Sequence, residues 1–174
     1  MKKIKLLVLD VDGVLTDGRL FIGSDGEEYK AFHAQDGMGI SLVRYTGMKV
    51  AIITGRKSPA VEKRANELKI DYVYQGIHDK LTVLDEIIKD VGITMDEVCY
   101  IGDDINDLPI LQVVGYPAAP ANAVTPVKEN VKYIASANGG EGAVREILDC
   151  LLSEQYDYNS LLFDYLDGKV TITQ

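Results

Sequence analysis

The chain has 174 residues, 47% of them hydrophobic and 26% charged, enough for one globular domain and too few for two. Its formal net charge is −9, and no block of lysine or arginine offsets it; this argues against nucleic-acid and anionic-membrane partners. No apolar run approaches the ~20 residues of a membrane span, and Cys99 and Cys150 lack metal-ligand spacing and read as reduced thiols, which favours a cytoplasmic location.

Residues 4–9 form an apolar, β-rich run. The two lysines ahead of it have the look of a signal peptide, but Asp10 and Asp12 interrupt the stretch and no small-residue cleavage site follows. Residues 19–32 read as a β-hairpin, with Gly23-Ser24-Asp25-Gly26 as its turn. A helix is expected from near Asp36. Further apolar runs at 48–53, 71–75, 98–102, 113–118 and 131–135 are mostly continuous, as expected of strands buried on both faces.

Between them, Ser58-Pro59 supplies an N-cap and an N1 proline for a helix reaching Leu68. Residues 79–91 form another, closed by Gly92. Short helices are expected after Asp103 and around Pro126 to Glu129, and a last one over 141–153. Gly139-Gly140 and Gly142 read as a turn; the alternative places their amides, or Arg145, near a neighbouring active site. The alternation predicts an α/β fold, a Rossmann-like doubly wound parallel sheet with helices on both faces. One domain is expected over 1–153. The tail over 154–174 alternates Tyr156, Tyr158, Phe163 and Tyr165 with acids and ends in a β-like Lys169 to Ile172; it is expected to dock on the body or on a neighbouring subunit.

Ligands of open α/β sheets bind beyond the carboxyl ends of the strands. Asp10 to Gly18 follow the first run, Thr54-Gly55-Arg56 the second and Gly102-Asp103-Asp104-Ile105-Asn106-Asp107 the fourth, while Lys80 opens the helix after the third. Carboxylates drawn from separate strands repel one another unless a cation holds them. Hard oxygen donors with no competing His/Cys cluster select Mg²⁺, which is commonly shared between one or two carboxylates and a substrate phosphate.

This ordered set, DVDGVLTDG, TGR, a lysine and GDDINDLP, resembles the haloacid dehalogenase superfamily of phosphotransferases over roughly residues 1–150. The resemblance implies a Mg²⁺-dependent phosphatase working through an aspartyl phosphate. Asp10 would be the nucleophile, and Asp12 would protonate the leaving oxygen and later deprotonate water. Asp10, the Asp12 main-chain carbonyl and Asp103 would hold Mg²⁺. The Thr54 hydroxyl and the Gly55 amide would bind phosphoryl oxygens, and Lys80 would supply positive charge. Asp107 would orient Lys80 or a metal-bound water, and Asp104 would act in the same way or serve the structure.

With a hairpin in place of a cap domain, the chain most closely resembles the capless 3-deoxy-D-manno-octulosonate 8-phosphate phosphatases and relatives acting on nine-carbon keto-acid phosphates. Members form homotetramers in which adjoining subunits cover one another's active sites. The substrate class this implies is a phosphorylated sugar acid. Arg56 and Arg64, eight residues apart, suit its carboxylate, with an ion pair to Glu62 or Glu67 as the alternative for Arg64. The turn His33-Ala34-Gln35-Asp36-Gly37 matches the sugar-contacting loop, contributing His33, Gln35, Asp36 and Gly37. Gln35 and Ser41 stand where octulosonate-phosphate phosphatases often carry basic residues. The alternatives are a nine-carbon acid as substrate, a phosphomutase, a receiver module phosphorylated elsewhere, and a non-catalytic binding or assembly domain.

Overall fold

The structure is a computed structural model that describes residues 2–167; the β-like Lys169 to Ile172 lies outside them. β1 (Leu6–Leu9) is wholly buried. A hairpin of β2 (Phe21–Ile22) and β3 (Glu28–Tyr29) follows, antiparallel and separate from the main sheet. The main sheet continues with β4 (Lys49–Thr54), β5 (Tyr72–Gln75), β6 (Val98–Ile101), β7 (Tyr116–Ala119) and β8 (Tyr133–Ile134). Its order is β5-β4-β1-β6-β7-β8, parallel throughout. Each of the six apolar runs read from the sequence contains a strand of this sheet, although residues 113–115 form the turn ahead of β7 and only Tyr133–Ile134 of the last run is strand.

Side chains of a strand alternate between faces, and two cores result. Leu7, Leu9, Val50, Ile52, Cys99 and Ile101 pack with α1 (Ala34–Tyr45), α2 (Pro59–Glu67), α6 (Ala143–Gln155) and α7 (Tyr158–Leu166). Leu6, Val8, Ala51, Ile53, Val98 and Tyr100 pack with α3 (Lys80–Val91), α4 (Leu108–Leu111) and α5 (Thr125–Lys128). The sheet is therefore covered on both faces, a Rossmann-like α/β fold. The chain runs from β1 outward through β4 to β5, then returns to place β6 on the other side of β1. At that reversal the strand ends part and a cleft forms.

Most helix ends follow their local chemistry. Asp79 caps α3 by accepting from the Thr82 amide at 3.2 Å, and Gly92 ends the helix in the left-handed region at φ 74°. Ser58 does occupy the N-cap position of α2, but its side chain makes no cap hydrogen bond; instead its amide donates to Gln75 Oε1 at 2.7 Å. The turn at Asn138 to Glu141 packs against the loop after β1, with the Gly140 amide donating to the Val14 carbonyl at 3.1 Å.

The sequence reading assigns no helix beyond α6, yet α7 forms there. Asp157 caps it through the Ser160 amide at 3.1 Å, and Leu161 and Tyr165, one turn apart, point into the core. The Tyr165 ring meets Tyr45 of α1 edge-on at 5.5 Å.

Candidate active site

The loop leaving β1 is held by its own polar atoms. Thr16 Oγ1 donates to the Val11 carbonyl and accepts from the amides of Gly13 and Gly18 at 3.2 to 3.4 Å. Gly13 lies at φ 86°, and a Cβ there would come within 2.0 Å of Asp103 Oδ2, so glycine is required for the loops after β1 and β6 to touch. The Asn122 side chain donates to the Gly13 carbonyl at 3.0 Å and accepts from the Gly139 amide at 2.6 Å.

Asp10 sits at the end of β1 and is almost fully buried. Its Oδ1 accepts from the Val11 amide at 2.7 Å, and its Oδ2 lies 2.9 Å from Lys80 Nζ. Lys80, the first residue of α3, is also buried and pairs with Asp107 Oδ1 at 2.7 Å. Asp107 has no free oxygen: Oδ1 also accepts from the Tyr100 hydroxyl at 2.6 Å, while Oδ2 accepts from the amides of Asp103 and Asp104 at 2.9 and 3.3 Å. Gly102 permits that approach, since a Cβ there would come within 2.5 Å of Asp107 Oδ2. Asp104 caps the turn that follows, accepting from the Ile105 amide at 2.7 Å.

Asp10, Asp103 and Asp107 each offer an oxygen within 4.8 Å of the others. Burial pushes Asp10 up to about 6 despite the opposing charge of Lys80, and Asp107 adds to the rise. Burial likewise carries Asp103 up to about 7, reinforced by the Asp10, Asp107 and Asp104 carboxylates. Carboxyls pushed this far above their ordinary value mark a site short of positive charge. A divalent cation meets that need, and an all-oxygen donor set is the set that hard cations prefer. Because Asp107 is saturated, Asp10 and Asp103 are the side chains free to hold the ion.

Asp10, Asp12, Thr54, Gly55, Arg56, Asp103 and Asp104 line one open cleft of about 270 Å³, together with Gly18 and Asn106. Lys80 and Asp107 do not line it but lie buried behind it, Lys80 against Asp10 and Asp107 against the Asp103 amide. The structure does not bring the remaining expected site residues here. Gln35, Gly37 and Arg64 line a second cavity of about 290 Å³ with Ala34, Met38, Leu68 and Arg145, which shares no lining residue with the first. Asp36 is buried beside it, accepting from the Arg145 amide at 2.8 Å, and burial raises its pKa. His33 occupies the N-cap of α1 without a side-chain cap bond. Arg64 pairs with Glu67 at 3.2 Å, so the two arginines do not converge. The physical reason is position: Arg56 precedes α2 at the rim of the sheet, whereas Arg64 lies on the helix flank facing Gly37 of α1.

Three residues at the cleft were not read from the sequence. Asn122 bridges two loops from a turn with no motif of its own. The other two, Glu28 and Lys30, come from the hairpin. Lys30 Nζ contacts Asp12 Oδ1 and lies 2.8 Å from Glu28 Oε1, with its side chain 1% exposed. Arg56 Nη2 donates to Glu28 Oε2 at 2.5 Å. Hydrogen bonds from Lys30 and Arg56 hold Glu28 below the usual carboxylate range. Burial disfavours the Lys30 ammonium, yet its bonds to Asp12 and Glu28 outweigh this and raise its pKa. The available signal was period two: Glu28 and Lys30 alternate with exposed Tyr29 and so face the same way.

A sequence model of haloacid dehalogenase-like hydrolases matches residues 73–148. The chain is 43% identical to the 3-deoxy-D-manno-octulosonate 8-phosphate phosphatase KdsC of Escherichia coli K12 over 154 residues, 88% of this chain and 82% of that one. Among solved structures it is similar to a probable YrbI family phosphatase of Pseudomonas syringae pv. phaseolica (TM-score 0.92, 46% identity, 96% and 95% of the two chains). It is also similar to the 3-deoxy-D-manno-octulosonate 8-phosphate phosphatase of Moraxella catarrhalis in complex with magnesium ion, phosphate ion and KDO (TM-score 0.90, 40% identity, 93% of each chain).

Proposed function

The chain belongs to the 3-deoxy-D-manno-octulosonate 8-phosphate phosphatase family of haloacid dehalogenase-like hydrolases, and from that premise we propose that it hydrolyses the phosphomonoester of a 3-deoxy-2-keto sugar acid, octulosonate 8-phosphate, with Mg²⁺ as cofactor. The observation that carries the chemistry is Asp10, buried at a strand end between Lys80 and the carboxylates of Asp103 and Asp107.

Asp10 attacks phosphorus in line and the bond to the sugar oxygen breaks, leaving an aspartyl phosphate on Asp10. Asp12 gives its proton to the departing oxygen. Water then attacks the phosphorus, its proton passes to Asp12, and inorganic phosphate leaves as the Asp10 carboxylate is restored. The Thr54 hydroxyl and Gly55 amide donate to the phosphoryl oxygens as charge shifts on them, while Lys80 holds the nucleophile and adds positive charge. A divalent cation held by Asp10, Asp103 and the Asp12 carbonyl supplies the charge that offsets repulsion between carboxylates and phosphate. Asp107 and Asp104 keep these groups in place.

The substrate carboxylate falls to Arg56, whose guanidinium lies at the cleft mouth. Exposed Leu20, Phe21, Ile22 and Tyr29 on a hairpin too small to be stable alone support assembly of copies through this element, into a tetramer. In that assembly Gln35 and Arg64, with half-buried His33, would reach the sugar of a neighbouring subunit, while Asp36 and Gly37, buried in α1, hold that surface in place, Asp36 through the Arg145 amide. Among the described residues no helix is long and apolar enough to cross a membrane. Free Cys99 and Cys150 are consistent with a reducing, cytoplasmic setting.

Phosphate release from octulosonate 8-phosphate, nine-carbon keto-acid 9-phosphates and hexose phosphates, with and without Mg²⁺, tests the reading. Metal-dependent turnover is expected, with kcat/KM highest for octulosonate 8-phosphate and at least ~10³-fold lost in Asp10→Asn. Preference for a nine-carbon acid would move the assignment to that relative. No turnover on any of the panel would leave a binding or assembly domain.

A further inference from the structure

The hairpin does more at this site than present apolar residues to neighbours. Only 1% of the Lys30 side chain is exposed, and burying an ammonium is costly unless it is paired. It is paired twice, with Asp12 Oδ1 and with Glu28 Oε1 at 2.8 Å. Glu28 in turn accepts from Arg56 at 2.5 Å, so Arg56, Glu28, Lys30 and Asp12 form one chain of alternating charge from the cleft mouth to the loop after β1. The other Asp12 oxygen, Oδ2, is buried without a hydrogen-bond partner, and Arg56 Nε stands 4.0 Å from it. A buried carboxylate oxygen with no hydrogen bond and only a distant guanidinium opposite it is expensive, and native proteins keep such atoms where a ligand or a reaction uses them.

We propose that Lys30, steadied by Glu28, is a positioning residue for the phosphatase reaction: it clamps Asp12 by Oδ1 so that Oδ2 is the oxygen presented to the leaving group and to the hydrolytic water. This rests on the reading of Asp12 as proton donor and acceptor. A carboxylate free to rotate presents either oxygen at many angles, whereas one fixed through a charged hydrogen bond presents a single oxygen along one line. The hairpin thereby becomes part of the catalytic apparatus of its own chain.

The test compares two phosphates that differ in their need for the proton. The sugar-acid phosphate has an alkoxide leaving group that departs only when protonated; p-nitrophenyl phosphate releases nitrophenolate without it. For both, the second step needs Asp12 to deprotonate water. Lys30→Met should therefore lower kcat on the sugar-acid phosphate by about 10²-fold with KM changed less than about 3-fold. On p-nitrophenyl phosphate it should keep a rapid burst of nitrophenolate and lose only the steady-state rate, because the aspartyl phosphate accumulates. Lys30→Arg should restore most of the loss. Glu28→Gln, which keeps the shape of the side chain, should move the same quantities in the same direction by about 3- to 10-fold, and it carries the test if Lys30→Met fails to fold by circular dichroism.

An unchanged kcat in folded Lys30→Met, or an equal loss of burst and steady-state rates, overturns the inference and leaves the phosphatase reading standing. Wild-type protein that turns over neither phosphate overturns that reading and the inference with it.

Discussion

Lys80 is where charge and burial are most tightly balanced. Its ammonium is nearly inaccessible and touches two carboxylates at 2.9 and 2.7 Å, with Asp103 close behind. Replacing it with methionine would fill the volume but leave those acids facing one another in a dry site. Lys80→Met is expected to cost about 3 kcal/mol of stability, read by urea unfolding, and to reduce phosphate release at least as severely as it reduces stability. A solvated helix-face lysine would tolerate the change with no loss of either. At this scale the gathering of Asp10, Asp12, Thr54, Asp103 and Lys80 at one rim of the sheet was legible because each stands at or just past the end of a buried run or opens the next helix, and that rule needs no tertiary detail. Lys30 was not legible, because which face of a hairpin turns inward depends on where it folds back, and two-residue strands carry little register information. Asn122 was illegible for a simpler reason: its role is to bridge the main chain of two loops distant in sequence.

Among the elements, the strands and the principal helices could be read because apolar runs and cap residues are local signals. The hairpin is shorter than the segment that announced it. α7 was hidden, since Tyr156 and Tyr158, and again Phe163 and Tyr165, stand two apart as in a strand, and only the pair Leu161 and Tyr165 with the Asp157 cap marks the helix. Gly139 and Gly140 signal a turn in the sequence, but nothing local signals that the turn is a buttress. A Cβ on Gly139 would lie 1.9 Å from the Gly13 carbonyl oxygen and 2.8 Å from that of Thr16, both main-chain atoms that cannot step aside. Gly139→Ala should therefore push the loop carrying Asp12, costing about 2 kcal/mol by overpacking. A shift of the order of 1 Å there should lower kcat by about 10²-fold. Gly47→Ala is the control: it imposes a left-handed alanine at φ 85° with nothing within 4 Å, so it should lower stability and leave kcat alone. Similar kcat values for the two variants would refute the buttress.

For the molecule as a whole, the acidic cluster links folding to pH and to metal. Asp10 at about 6 and Asp103 at about 7 bind protons more tightly in the folded chain than in the unfolded one, where both titrate near 3.8. Their contribution to stability is thus complete below about pH 4 and is lost as pH rises through 6 and 7. In EDTA, unfolding free energy should fall between pH 5 and pH 8 by an amount on the order of 3 kcal/mol. Bound Mg²⁺ should flatten that slope, because it favours the charged carboxylates and, at a hundred times its dissociation constant, adds about 2.7 kcal/mol. The net charge of −9 predicts a fall of the same sign from general repulsion. Two measurements separate the causes. Exposed charges are screened by 0.5 M NaCl and the buried cluster is screened far less, so the slope in EDTA should survive added salt. Asp103→Asn removes one member of the cluster while changing the net charge by a single unit. It should raise the melting temperature of the metal-free protein at pH 8, abolish its response to Mg²⁺ and eliminate turnover, the combination expected when a site is held unstable for the sake of the ion it binds. A slope that salt removes and Asp103→Asn leaves untouched would assign the effect to the surface instead.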